Sequence, residues 1–176
     1  MKTKEYLKYY WLEKYLEDEV QPFFEKHGYL GREQFFMITE WKSRFAKVHL
    51  KYLGEKDVET LTRAISSAVS TEERLRILLK ESDGKNRKGI RLAMASAILT
   101  ILYPTEFTVY DIRVRSLFGY SDITNDKSVV EKYFNEYLPK IKAVASENKM
   151  TLRDCDRALW AKSWHEDLQK FLGFLR

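Results

Sequence analysis

Gly89 to Tyr120 reads GIRLAMASAILTILYPTEFTVYDIRVRSLFGY, and the fold turns on the first half of that stretch. From Ile90 to Leu102 the chain is apolar almost all the way round, broken only by Arg91, Ser96 and Thr100. A helix without a polar face must be covered on every side, so this one is read as the centre of the domain. Its small residues Ala93, Ala95, Ser96 and Ala97 admit close neighbours. The run falls well short of the ~20 apolar residues a bilayer span needs. Pro104 ends it, and Thr108 is the expected N-cap of a second helix that carries Asp111 in its first turn.

Outward from this pair, seven glycines and three prolines are the main punctuation, and no alternating strand pattern is present. The chain is therefore read as all-α, one domain of about ten helices over 1–176. The first helix is expected from about Thr3 to Val20, with Tyr9, Leu12, Leu16 and Val20 on one face and breaks at Pro22 and Gly28. Arg32 to Tyr52 reads as two helical segments. Asp57 is the expected cap of a helix carrying Val58, Leu61, Ala64, Ile65 and Ala68, and Ser70 with Glu73 forms a capping box for the next. Glu81 to Lys88 is the clearest loop. A long helix from about Asp126 to Asn148 should kink or split at Pro139. Thr151 with Asp154 opens a helix through Trp160, and a separate last helix holds Leu168, Phe171 and Leu172.

Composition narrows the function. With 44% hydrophobic and 32% charged residues, the chain is read as a soluble globular domain rather than a disordered one. A net charge of +5 suits a polyanionic partner without requiring one. The lone cysteine, Cys155, excludes an internal disulfide and a cysteine-rich metal site, and His27, His49 and His165 lack metal-ligand spacing. No cofactor and no metal is expected. The charged start MKTKEYLKYYWLEKYLEDE reads as no secretory leader, which points to a cytoplasmic protein with no membrane role. The tyrosines are expected on half-buried helix faces, with ring packed and hydroxyl wet.

The quoted stretch resembles the helix-hairpin-helix DNA glycosylases. Gly89-Ile90-Arg91-Leu92-Ala93-Met94-Ala95 lies over that family's G-V-G-x-K-T-A, and Val109-Tyr110-Asp111 with Arg113-Val114 lies over its V-D-x-x-x-x-R-V. Asp111 follows Ala93 by 18 positions, the separation of the family's lysine and aspartate. Two positions depart: Arg91 stands in place of the second hairpin glycine, and Ala93 in place of the lysine. The tail around Leu152-Arg153-Asp154 and Asp156-Arg157-Ala158-Leu159-Trp160 is also similar to a bacterial family of unassigned function, which implies no activity.

The glycosylase resemblance implies a two-lobed fold, with N- and C-terminal helices in one lobe, helices of about 56–120 in the other, and Asp111 in the cleft between. Asp111 would be the catalytic carboxylate, stabilising positive charge on a sugar and orienting a water. Read without the resemblance, Asp111 is a capping residue with Arg115 as its i+4 ion partner. Loss of the lysine removes the Schiff-base nucleophile, so an active enzyme here would use water and lack lyase activity. Lys85, Arg87, Lys88 and Arg91 would hold a DNA phosphate, or else belong to a solvated loop, and Arg91 is expected to distort the hairpin turn. Trp41 and Lys42 would face an extruded base, though Trp41 reads equally as a core residue. Cys155 is read as a small buried residue. The implied partner is duplex DNA. The readings that stay open are a monofunctional base glycosylase, a silent DNA-binding descendant of that fold, and a helical protein-interaction module.

Overall fold

Two prolines sit inside continuous helix, and the chain accommodates both in the same way. In the computed structural model, which describes residues 14–80 and 84–174, a π-helical turn at Leu16–Val20 runs straight into α1, Gln21–His27. A second π turn at Tyr133–Tyr137 joins α8, Val129–Lys132, to α9, Leu138–Glu147. In each case the residue before proline donates five residues back, Gln21 to Leu16 and Leu138 to Tyr133. Proline lacks the N–H for the i−4 bond, and its ring crowds that carbonyl; a widened turn just ahead relieves both. Pro22 therefore does not break the chain as the sequence suggests, and Pro139 does not split its helix. Gly28 ends α1 instead, in the left-handed conformation at φ +70°.

Helix α2, Arg32–Lys42, and short α3, Ala46–Leu50, follow. Helix α4, Glu55–Ser67, is capped at Gly54, whose N–H donates to Asp57 at 2.8 Å; Asp57 sits inside the first turn rather than before it. Val58, Leu61 and Ile65 of α4 are buried and Ala64 is exposed. Helix α5, Thr71–Leu79, has the expected Ser70 cap, with the Glu73 carboxylate reaching back to the N–H of Val69. Helix α6, Leu92–Leu102, is buried along nearly its whole length and packs on α1, α2 and α5. Helix α7, Ile112–Leu117, packs on α10, Leu152–Phe174, which also lies against α9.

Helix α10 runs unbroken where two helices were expected, because no glycine or proline intervenes before Gly173. Its last turns project, leaving Phe171 and Leu172 exposed. The described residues form one all-helical domain without a β-strand, and none of its helices is long and apolar enough to cross a membrane. Tyr9, Leu12 and the loop residues Glu81 to Asp83, expected in the first helix and in the loop, lie outside the described residues.

The segment that sets up the site is not helical. Phe107 to Tyr110 passes fully buried between α6, the second π turn and α10. A buried backbone must find hydrogen-bond partners, and side chains supply them here. The Thr108 N–H donates to the Tyr133 hydroxyl (3.1 Å), which itself donates to the Thr108 carbonyl (2.6 Å). Tyr137 donates to the Val109 carbonyl at 2.8 Å, and the Tyr110 N–H donates to Ser96 Oγ at 2.8 Å. These tyrosines are therefore buried clamps, not half-wet surface rings, and burial raises both hydroxyls well above their ordinary value. Thr108 is fully buried in this strap and caps nothing.

Candidate functional site

The strap ends on Asp111, which is itself the N-cap of α7. Its Oδ1 accepts from the Arg113 N–H at 2.9 Å. Its Oδ2 accepts from Lys42 Nζ at 2.5 Å, and the two side chains are each only 15% exposed. Thus Lys42, at the C-terminal end of α2, is the ion partner of Asp111; Arg115 turns away to Asp122 (3.6 Å) and the Tyr120 carbonyl. A cation suits the end of α2, and a carboxylate suits the start of α7, so each helix dipole attracts its member of this ion pair.

Asp111 and Lys42 open into a cavity of about 150 Å³ lined also by Trp41, Val109, Asp156, Arg157 and Trp160. Trp41 is half-buried, packs on the core from one side and carries the Arg153 guanidinium 5.5 Å from its ring centroid. It is at once a core residue and a wall of the cavity. Asp156, only 4% exposed, pairs with the equally buried Arg153 and accepts from the Val109 N–H at 3.4 Å. It therefore ties α10 to the strap two residues before Asp111. Arg157 is held by Asp154 at 3.2 Å and by Glu17, and Arg113 bridges Asp167 at 2.6 Å over the Trp160 ring.

A second, larger cavity of about 1020 Å³ adjoins the first, and Lys42 lines both. Arg87, Lys88 and Arg91 lie in its wall together with Arg76, Lys80, His49 and Lys127, while Asp126 is the one acid among its described lining residues. The hairpin that brings them there is held by an antiparallel bridge between Lys80 and Asn86 and by the Arg87 N–H donating to the Leu79 carbonyl at 2.8 Å. Gly89 is required in its turn: it sits at φ +77°, and a Cβ there would lie 3.1 Å from the His49 carbonyl oxygen and closer still to two side-chain atoms.

Not every basic residue named from the sequence is available to a ligand. The Arg87 guanidinium donates to the Lys80 and Ile77 carbonyls, so it clamps the end of α5. Lys85 is exposed and lies outside the cavity wall. Arg91 does not distort the turn, because it is the extended N-cap of α6 at φ −97°, a conformation open to any residue. Lys88, Arg91 and Lys127 make no ion pair among the described residues.

The structure thus brings together Asp111, Lys42 and Trp41 from the sequence reading. It adds Asp156, Arg157, Trp160 and Lys127, which that reading missed. The spacing of Arg153 and Asp156 is that of an ordinary surface pair on a helix, and nothing local marks it as buried. Lys127 reaches the cavity through contacts far apart in the chain. Ala93 is half-buried in the wall of the larger cavity. Cys155 is fully buried, and its thiol is pushed up to about 12 by burial and then by the neighbouring Asp156, which keeps it protonated and unreactive. Among the described residues no three metal-ligating side chains cluster. No protein-family model, curated protein or solved structure matches this chain.

Proposed function

We propose that this chain is a DNA-binding protein of helix-hairpin-helix glycosylase type, and that it hydrolyses an N-glycosidic bond with Asp111 as the essential carboxylate. One observation carries the reading: a shielded carboxylate sits in a small aromatic-walled cavity, and Lys42 joins that cavity to a larger one lined by cations. Phosphates held by Lys88, Arg91 and Lys127 would bring one nucleotide to the mouth of the smaller cavity. There Trp41 and Trp160 offer apolar faces to a base, and Asp111 faces its sugar. As the base departs with the bonding electrons, positive charge grows on the sugar ring. A fixed carboxylate in a largely dry site stabilises that charge and orients the water whose oxygen then bonds to the sugar carbon, while the proton that water gives up ends on the departed base. Ala93 supplies no amine, so the reaction stops at base release.

A second reading, the silent DNA-binding descendant, is favoured by the same geometry. Both carboxylate oxygens of Asp111 are engaged, one by the Arg113 N–H and one by Lys42. Held that way, the residue pins α7 to α2. Single-turnover release of free base from duplexes carrying alkylated, oxidised or deaminated bases separates the two. Release that disappears in Asp111→Asn supports hydrolysis. Binding of every duplex with release from none supports the silent descendant, and a protein that does neither is no DNA protein.

A further inference from the structure

We propose that the outward face of α3 is a stacking platform for unpaired bases of a nucleic-acid strand that continues from the basic cavity. The proposal rests on the DNA-binding reading above and adds a site and a ligand state to it. Phe45, Val48 and Tyr52 leave 60%, 58% and 46% of their surface in water. They recur at i, i+3 and i+7, so they share one helical face, and Phe45 and Lys51 at the two ends of α3 both keep helical dihedrals. Buried Ala46 and Leu50 hold the opposite face to the core.

The chemistry around that stripe selects the partner. From Ser43 to Gly54 there is no acidic residue, and Arg44, Lys47, His49 and Lys51 are all exposed between or beside the aromatic rings. The acids flanking this segment are engaged elsewhere: half-buried Glu40 accepts from the Lys47 backbone N–H at 3.0 Å, and Glu55 accepts from the Arg32 N–H at 3.0 Å. Exposed rings interleaved with cations match a chain that carries both π faces and phosphates. The Arg44 guanidinium already lies 5.1 Å from the Phe45 ring centroid, so a planar cation sits against the platform.

The platform also borders the cavity proposed to hold phosphates. His49 lines that cavity, Gly89 packs on His49 and Leu50, and the Tyr52 hydroxyl donates to the Lys88 carbonyl at 2.9 Å. Phe45 and Tyr52 are seven residues apart, roughly 10 Å along a helix. That spans about three base steps at ~3.4 Å per base. Because every base has a π face, binding should tolerate any sequence.

The test uses fluorescence anisotropy of a labelled oligothymidine strand and a labelled duplex of equal length, with phosphatidylserine vesicles as a third ligand. Phe45→Ala with Tyr52→Ala should weaken single-strand binding at least about 30-fold and leave duplex binding within about twofold. Phe45→Leu, which keeps apolar area but no ring, should also weaken the single strand, whereas Tyr52→Phe should not. If the double variant holds the single strand normally while Lys88→Gln with Arg91→Gln loses the duplex, the platform is wrong and the DNA reading stands. Failure to bind either nucleic acid overturns both. Vesicle binding that survives Phe45→Leu but not Phe45→Ala, without single-strand binding, would assign the face to an anionic bilayer and overturn the proposal.

Discussion

Replacing Asp111 by Asn separates what this residue does for the fold from what it does for chemistry. Asn keeps the side-chain oxygen that accepts from the Arg113 N–H, and it caps helices as well as Asp. The ion pair to Lys42 is lost. An exposed pair contributes about 0.2–1 kcal/mol, whereas breaking a fully buried one costs about 3–5 kcal/mol. With both side chains 15% exposed, and with Lys42 able to turn toward the larger cavity, the cost falls nearer the lower figure, about 1–2 kcal/mol. For a domain of this size that lowers Tm by about 2–8 °C. Base release should fall by about a hundredfold or more, because the charge facing the cationic sugar is gone. Paired thermal melts and single-turnover release on damaged duplexes measure both. A variant that melts far lower yet releases base normally per folded molecule would make Asp111 a structural pin and refute the catalytic assignment.

Three further outcomes follow from the same geometry. Borohydride treatment with abasic-site DNA should leave no covalent adduct, since Ala93 offers no amine; an adduct mapped to Lys42, the lysine beside Asp111, would contradict this. Tyr133→Phe should cost about 1–3 kcal/mol in urea unfolding, because it strips partners from both buried backbone groups of Thr108; unchanged stability would mean the strap is held by other contacts. From neutral pH upward, stability should be level to about pH 9 and fall above it. The Cys155 thiol (ordinarily 9.0) and the Tyr133 and Tyr137 hydroxyls (ordinarily 10.0) keep their protons in the fold, while the unfolded chain releases them. A urea midpoint that stays flat into the alkaline range would contradict those assignments.

Much of the fold was legible because local rules and tertiary packing agree there. The all-round apolar run of α6 admits only a central position, and Ser70 and Thr151 cap where their spacing to Glu73 and Asp154 says they should. Thr108 was misread because its sequence context is that of a cap, while its backbone is taken by Tyr133 across the core. Tertiary hydrogen bonding overrode a local preference, and the cap moved to Asp111. The prolines misled for a related reason: a π turn just upstream removes the clash that would break the helix.

The site was half legible. Asp111, Lys42 and Trp41 were each named, yet their meeting depends on α2 and the strap converging from 69 residues apart. Neither the tail motif around Asp156 nor the surroundings of Lys127 point to a cavity, since burial made one a core anchor and chain topology brought the other to the basic cavity.

The salt dependence of duplex binding tests the central claim most directly. Lys88, Arg91 and Lys127 are cavity cations without an ion pair among the described residues, so neutralising about three phosphates predicts a slope of log K against log salt near −3. Changing all three to Gln should flatten that slope toward zero and weaken binding uniformly across sequences. A slope near zero in the unaltered protein, or one that the triple change leaves intact, would contradict a nucleic-acid role for this cavity.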